Sequence, residues 1–400
     1  MSSGRWIWEN AALPNVDQFT YTYAKDADTR RTVILQAYYL GQVSFYFIYT
    51  WFGIWGLLIY KAILLTLPLW LLWRYLRLNN IDAIVALILI LPLPLLLHRF
   101  DELRAVIFSF IGAIAVLYFI NLLLDRLRSG KDVWRYFFIL PATMLLWANL
   151  HRGFLIGWVL LATFLGGELL KFFLHKKGWG EDALSRQALI IFTLLSVFAV
   201  LISLVNPSGL GAIVANSSEL SGPFMQVIDE YFPLWKYASL YGMQWIFFGA
   251  VAIALLGGLF MLRARKELQW AHAVLFVGFA YQGLSTFRFS YFLVIMCIAL
   301  AAPYYRSASQ RLMADYGKQV QWFALLLFIT VSAVNVQRSG FLSSPWERQY
   351  FPSAATQYIS QNRPPARLFN AFEYGGYLGW KLYPDYKIFI DQRNLDYAVY

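Results

Sequence analysis

Long apolar runs, separated by short polar connections, follow one another along most of the chain. A helix of about 20 apolar residues crosses a bilayer, so this pattern predicts a series of membrane-spanning helices. The ten runs that could span are Gly53–Trp73, Ile81–Leu97, Ala105–Leu124, Tyr136–Asn149, Phe154–Leu174, Ala188–Val205, Trp245–Leu262, Ala271–Thr286, Phe289–Tyr304 and Val320–Val336. A further apolar stretch, Val33–Tyr49, carries polar side chains and could either span or lie flat at the membrane surface.

Composition agrees with this pattern. Hydrophobic residues make up 60% of the 400 residues, and charged residues make up only 14%, whereas about a quarter of an average soluble domain is charged. We therefore expect an all-α polytopic membrane protein with about ten transmembrane helices. Three parts are expected: an extracytoplasmic first loop with an interfacial helix at 1–52, a transmembrane core at 53–337, and an extracytoplasmic C-terminal segment at 338–400.

Basic residues in the connections predict the orientation of the chain. One set of alternate loops carries fifteen Lys and Arg, while the loops between them carry five, namely Arg99, Arg104, Arg152, Lys236 and Arg288. Because Lys and Arg accumulate on the cytoplasmic side, the basic-poor loops and the tail after Val336 are expected outside the cytoplasm. The opening segment is outside as well if Val33–Tyr49 lies flat, which we favour, and inside if that stretch spans. The net charge of +11 thus reflects topology and does not indicate a nucleic-acid partner.

Cysteine and histidine contribute little to the prediction. The single cysteine, Cys297, lies inside an apolar run, so no disulfide can form within the chain. The four histidines lack metal-ligand spacing, and no structural metal site is predicted.

Charged and polar residues gather in the connections that are predicted to face outward. An aspartate such as Asp17 can take a proton from an acceptor hydroxyl as that hydroxyl attacks a sugar. An arginine such as Arg288 suits a phosphate, because its planar fork donates two parallel hydrogen bonds. These groups indicate sugar transfer from a polyprenyl-phosphate donor at the membrane face. The candidate catalytic residues are Asp17 and Glu230, and the candidate substrate-binding residues are Asn149, His151, Arg152, Glu219 and Arg288.

Most candidates also have a purely structural interpretation. Asp17 follows Leu-Pro-Asn-Val and could form an Asx turn. His151 could cap a helix corner, and Arg152 could extend towards lipid headgroups. Glu219 and Glu230 could be solvated loop acids. Arg288 is different, because a charge between two apolar runs is costly and usually has a function.

Five segments of the sequence resemble a large group of bacterial multi-pass proteins related to the GT-C glycosyltransferases. The segments are GRWIWENAALPNVDQFTYT at Gly4–Thr22, LLWANLHRGFLIGWVL at Leu145–Leu160, LVNPSG at Leu204–Gly209, DEYFPL at Asp229–Leu234 and RLFNAFEYGGYLGWKLYPDYKIFIDQRNLDY at Arg367–Tyr397. They occur in the group's order and are spread over most of the length of the chain, and the last is the most specific.

The resemblance implies a GT-C-like glycosyltransferase of the bacterial inner membrane, with a lipid-phosphate sugar donor, an outward-facing active site and a periplasmic or extracellular C-terminal segment. The group's usual acid lies in a short motif of the first outer loop that would precede Gly4, so Asp17 matches a later aspartate of that loop. The group's corner usually reads His-Gly-Gly, whereas here Arg152 follows His151. The chain is therefore expected to be a fragment that lacks the first helix and the usual acid.

The closing segment is expected to begin a small, incomplete α/β domain. Two short strands are predicted, one at Gly375–Leu382 and one at Lys387–Arg393, with the glycine pair allowing a tight turn.

Two other classes of function stay open. A transporter or flippase for a lipid-linked saccharide would show broken helices and internal pseudo-symmetry, and Pro92 and Pro94 within one span have no counterpart in a second half. A non-catalytic partner of polysaccharide assembly stays open because the usual first acid is missing. No definite cofactor is predicted, and a divalent cation stays an open alternative. The expected partners are the polyprenyl-phosphate sugar and membrane lipid.

Overall fold

The computed structural model describes residues 1–22, 29–96, 103–175, 183–213, 228–338, 351–365 and 367–391. The regular secondary structure within these ranges is helical. The helices are α1 Ser2–Asn10, α2 Thr29–Gln36, α3 Tyr39–Leu78, α4 Ala83–Ile90, α5 Leu93–Leu96, α6 Ile107–Arg128, α7 Tyr136–Leu150, α8 Leu155–His175, α9 Arg186–Ser203, α10 Leu234–Leu240, α11 Gln244–Arg263, α12 Trp270–Ser285, α13 Ser290–Ala301, α14 Arg306–Arg338, α15 Ser353–Asn362 and α16 Gly375–Leu382.

The protein is a polytopic α-helical membrane protein. Each of the ten predicted apolar runs carries one or more of the helices. Within the residues that the structure describes, six helical stretches are long and apolar enough to cross a bilayer, namely Thr32–Leu78, Ile107–Arg128, Arg152–Leu174, Arg186–Ser203, Gln244–Arg263 and Phe287–Gln337. Two further apolar stretches, Ala83–Leu96 and Tyr136–Leu150, are shorter.

Helix α3 is broken at Gly53, the first residue of the first predicted span. Its φ of 62° and ψ of −156° lie outside the helical region, and glycine adopts a positive φ without a steric penalty. The stretch Val33–Tyr49 does not form one helix either, because Ala37 and Tyr38 separate α2 from α3. The segment 39–52 is therefore a separate helical piece between two breaks.

Helix α13 lies at the centre of the helix bundle. All of its residues, from Ser290 to Ala301, are buried, as expected for a helix that is apolar all round. It packs against α11 and α12. The approach to α12 is close, since a Cβ atom at Gly283 would lie 2.4 Å from Cβ of Leu293.

A buried ion group ties α8 to the end of α6. The side chain of Glu168 is only 2% exposed, and its Oε1 accepts hydrogen bonds from Arg128 Nη2 at 2.6 Å and from Lys171 Nζ at 2.9 Å. A lone carboxylate is costly inside an apolar bundle, so the two cations offset the cost of burying it. Sequence analysis did not single out these residues.

The two ends of the described chain pair with each other. Ile388 makes single parallel bridges to Leu368 and to Thr20. The Ile388 amide donates to the carbonyl oxygen of Phe19 at 2.9 Å, and the Tyr21 amide donates to that of Ile388 at 3.1 Å. Residues 19–21 of the opening segment thus pack against the closing segment and stabilise it.

The prediction of a strand at Gly375–Leu382 is wrong, because these residues form helix α16. Its buried positions are Gly375, Leu378, Gly379 and Leu382. A spacing of three and four residues places them on one helical face, whereas a strand would divide them between two faces. The described part of the second predicted strand, 387–391, contributes the bridge position Ile388.

Candidate functional site at two helix corners

The corner between α7 and α8 holds three of the candidate residues. Helix α7 ends at Leu150, His151 is extended with φ −161° and ψ 138°, and a 3₁₀ turn at Arg152–Phe154 leads into α8. The reversal places His151 and Arg152 side by side in a buried position, with the side chain of Arg152 only 5% exposed. We call the end of the bundle that carries this corner the site end.

His151 is held by a hydrogen-bonded network from two helices. Its Nδ1 atom lies 2.5 Å from Oγ of Ser109, in the first turn of α6, and the Gly153 amide donates to the same Nδ1 at 3.0 Å. The indole N–H of Trp147, on α7, donates to Ser109 Oγ at 2.9 Å. The ring of Tyr38 stacks on the His151 ring with 5.0 Å between centroids. These contacts fix the imidazole before any ligand arrives.

Two glycines make room for this network. A Cβ atom at Gly153 would lie 2.1 Å from Ser109 Oγ. A Cβ atom at Gly112 would lie 2.2 Å from Cδ2 of Trp147. Both distances are far below van der Waals contact, so a side chain at either position would displace a member of the network.

The corner between α12 and α13 has the same design. Thr286 is extended with φ −149° and ψ 120°, and a 3₁₀ turn at Phe287–Phe289 leads into α13. The turn carries Arg288, and Nη1 of Arg288 donates to the hydroxyl of Tyr231 at 2.5 Å. Both corners thus present an arginine from a 3₁₀ turn that follows an extended residue.

Each corner arginine lies over a tyrosine ring. Cζ of Arg152 is 5.7 Å from the centroid of Tyr38, and Cζ of Arg288 is 5.1 Å from that of Tyr231. Such cation–π contacts hold a guanidinium in place, and the planar group is of the kind that binds a phosphate through two parallel hydrogen bonds.

The corners act electrostatically on the same histidine. Burial lowers the pKa of His151 well below its usual range, and the positive charges of Arg152 and then Arg288 lower it further. The ring is therefore neutral at physiological pH. The two corners adjoin each other, since the ring of Phe110, next to Ser109, stacks on the ring of Tyr291 at the start of α13.

Asn149 has a structural position beside this corner. Its Nδ2 donates to the carbonyl oxygens of Leu145 at 2.8 Å and Val205 at 2.9 Å, and its Oδ1 accepts from the hydroxyl of Tyr39 at 3.0 Å. The side chain joins the end of α7 to the chain after α9 and to the start of α3.

Asp17 forms the turn that its sequence context allows. Its carboxylate accepts from the Thr20 amide at 2.9 Å, from the Phe19 amide at 3.4 Å and from the Thr20 hydroxyl. This turn precedes the segment that pairs with Ile388. Asp17 therefore stabilises the part of the opening segment that pairs with the closing segment.

Glu230 lies next to the second corner. It belongs to the 3₁₀ turn Asp229–Tyr231, and its Oε1 accepts from Arg104 Nη1 at 2.5 Å. The Phe287 amide donates to the carbonyl oxygen of Phe232 at 2.8 Å, so the two turns pack together. Glu219 lies outside the described residues.

An apolar cavity of about 600 Å³ lies between α4, α5, α11, α13 and α14. Its lining includes Leu96 and Trp245 near one end and Phe260 and Leu312 near the other. Cys297 of α13 also faces it. Among the described residues, no group of three or more His, Cys, Asp or Glu is arranged to hold a metal ion.

Sequence analysis missed the residues that hold the candidates in place. Trp147 and Tyr231 lie inside the quoted motifs but received no role. Ser109 and Tyr38 had no motif to mark them, because each contacts the corner across a large sequence separation.

The lowered pKa of His151 gives a prediction for stability. An unfolded histidine takes up a proton near pH 6.5, whereas the folded His151 ring resists protonation. The neutral, buried ring therefore contributes fully to the free energy of unfolding above pH 6.5. That contribution declines as the pH falls towards the lower pKa of the folded protein. We expect His151→Gln to flatten part of the loss of stability between pH 7 and pH 5. Thermal unfolding in detergent at several pH values measures it, and the same pH dependence in both proteins would contradict it.

Comparison with known proteins leaves the family open. No protein-family model matches the chain, and no curated protein matches it significantly.

Proposed function

We propose that this chain is a membrane glycosyltransferase-like protein of GT-C type. It would transfer a sugar from a polyprenyl-phosphate-linked donor to an acceptor hydroxyl at the outer face of the membrane. The observation that carries the proposal is a pair of helix corners of the same design, each of which presents an arginine, Arg152 or Arg288, from a 3₁₀ turn beside a tyrosine ring.

A lipid phosphate is the ligand class that this arrangement favours. Two guanidinium groups seated on tyrosine rings attract an anion and bind phosphate through parallel hydrogen bonds. The lining of the apolar cavity contains no corner residue, but α13 links the two features: it begins just after Arg288, and Cys297 and Ile298, about 13–15 Å further along the helix, line the cavity. A cavity of about 600 Å³ has room for an extended lipid chain. An amphiphile with an anionic head and an apolar tail fits both features.

The proposed step exchanges one bond of the sugar. The bond from C1 to the phosphate oxygen breaks, the bond from C1 to the acceptor oxygen forms, and the hydroxyl proton passes to a carboxylate base. The departing phosphate keeps the negative charge, which the arginines would stabilise as it develops. Glu230 is favoured as the base over Asp17 because it adjoins Tyr231 and the second corner, although its Oε1 is paired with Arg104 and would have to leave that pair to take up a proton.

Transfer can be tested directly. The full chain in proteoliposomes would be supplied with a series of short-chain polyprenyl-phosphate hexoses, with a membrane extract as the source of acceptor. We expect release of polyprenyl phosphate with one member of the series. Tight donor binding without release from any member would instead support a non-catalytic partner of polysaccharide assembly.

The proposal includes a topology: the chain would cross a bacterial inner membrane ten times, with the site end outside the cytoplasm. The ten apolar runs each carry helix, and the basic residues favour the opposite end as the cytoplasmic one. The closing segment, which pairs with Thr20, would then be periplasmic or extracellular.

Cysteine labelling tests this topology. In a Cys297→Ser background we expect Ser129→Cys, after α6, and Gln361→Cys, exposed on α15, to react with an impermeant maleimide from opposite sides of the membrane. Intact cells should label Gln361→Cys, and Ser129→Cys should label only after permeabilisation. Reaction of both from the same side would overturn the topology.

A further inference from the structure

The hydrogen bonds around His151 determine which ring nitrogen carries the proton. The Gly153 amide points its hydrogen at Nδ1 from 3.0 Å. An amide N–H can only donate, so Nδ1 must be the unprotonated, accepting nitrogen. The proton of the neutral ring is therefore on Nε2.

The rest of the network agrees with this assignment. Since Nδ1 accepts, the Ser109 hydroxyl at 2.5 Å must donate its proton to it. The oxygen of Ser109 then has room to accept, and it receives the indole N–H of Trp147, which can only donate. The indole of Trp147 thus donates to Ser109, and the hydroxyl of Ser109 donates to Nδ1 of His151, so both hydrogen bonds run in the same direction.

We infer that His151 is a fixed N–H donor for the anionic head of the ligand and that Ser109 and the Gly153 amide are the groups that position it. Nε2 is on the far side of the ring from both of these groups. Its N–H adds a neutral donor to the two guanidinium groups, and all three are of the type that a phosphate accepts from. The assignment of the ligand rests on the proposed function, whereas the state of the ring does not.

This role differs from acid–base catalysis. A histidine that moves protons must exchange its proton during turnover and is most effective when both forms are populated. Here Nδ1 is occupied by two donors, and the neighbouring charges of Arg152 and Arg288 oppose the imidazolium form. His151 keeps its Nε2 proton and binds through it.

Nitrogen NMR of the full chain, ¹⁵N-labelled in the histidine rings, tests the inference. The signal of His151 is identified by its loss in His151→Gln. We expect one protonated nitrogen coupled to both ring C–H protons, which identifies it as Nε2, and the same pattern at pH 8 and pH 6. A proton on Nδ1, or an imidazolium at pH 6, would overturn the inference.

Ser109→Ala tests the positioning role with the same spectrum. Loss of one of the two donors to Nδ1 is expected to bring in signal from the other tautomer. An unchanged spectrum would show that Ser109 does not position the ring.

Farnesyl phosphate, a short polyprenyl phosphate, tests the binding role. Glutamine keeps an N–H donor and leucine does not, so we expect His151→Gln to bind within about threefold of the wild type and His151→Leu to bind about tenfold more weakly, as for one hydrogen bond to a charged group. Equal losses in both would overturn the donor role. If the wild-type chain does not bind farnesyl phosphate, the proposed function is wrong. The ¹⁵N spectrum of His151 still determines which ring nitrogen carries the proton.

Discussion

Replacing Arg288 by alanine is expected to lower the rate of sugar transfer about 10²- to 10³-fold, as for removal of one donor to a developing negative charge. Arg288 is anchored to Tyr231 by a hydrogen bond of 2.5 Å and by its position over the ring. Its removal should leave membrane insertion intact, because the neighbouring helix α13 is held by apolar packing along its whole length. Transfer in proteoliposomes and the monodispersity of the purified protein measure the two effects.

Lys236 provides the matched control. It is an exposed cation beside the same turn, with its Nζ 3.6 Å from the centroid of Phe232. If Arg288 acts through a specific contact with phosphate, Lys236→Ala should retain most of the activity. Equal losses in the two variants would indicate a general effect of positive charge, and unchanged transfer in Arg288→Ala would remove this residue from the site.

Gly112→Ala is expected to destabilise the folded protein. The added Cβ would lie 2.2 Å from the Trp147 indole, so the ring must move and its hydrogen bond to Ser109 must lengthen or break. Overpacking of this kind costs about 1–3 kcal/mol. Unfolding of the full chain in detergent, followed by heat or by added SDS, measures the loss.

Gly166→Ala is the control for this substitution. Gly166 is also a helical glycine, but nothing lies within 4 Å of its Cβ position. Both variants gain the same preference of alanine for helix over glycine, so their difference isolates the clash with Trp147. We expect Gly166→Ala to be as stable as the wild type or slightly more stable. Equal stability of the two variants would contradict the contact between Gly112 and Trp147.

The helices of this protein could be predicted from the sequence because they depend on local composition. An apolar run such as 107–128 has no low-energy alternative in lipid, where the backbone must bond to itself. The two corners could be placed as well, since polar residues interrupt apolar runs at His151 and Arg288. The residue types at these interruptions also predicted an anion site, which stays a prediction.

Contacts between distant positions could not be predicted in this way. Ser109 lies 42 residues from His151 in the sequence, and Tyr231 lies 57 residues from Arg288. The sequence around a serine inside an apolar run does not show which side chain its hydroxyl contacts, because that depends on the helix that packs against it. Helix α16 was missed for a different reason: its two leading glycines suggested a turn, whereas Gly375 serves a close approach to the carbonyl oxygen of Ile390, where a Cβ would lie 2.1 Å away.

The pairing of the two chain ends also sets an order of events during synthesis. The Thr22 hydroxyl donates to the carbonyl oxygen of Phe389, across 367 positions. A ribosome adds about 5–20 residues per second, so the nascent opening segment waits roughly 20–70 s for its partner. During that interval the Thr22 hydroxyl and the Tyr21 amide lack the carbonyl oxygens that accept from them in the folded protein.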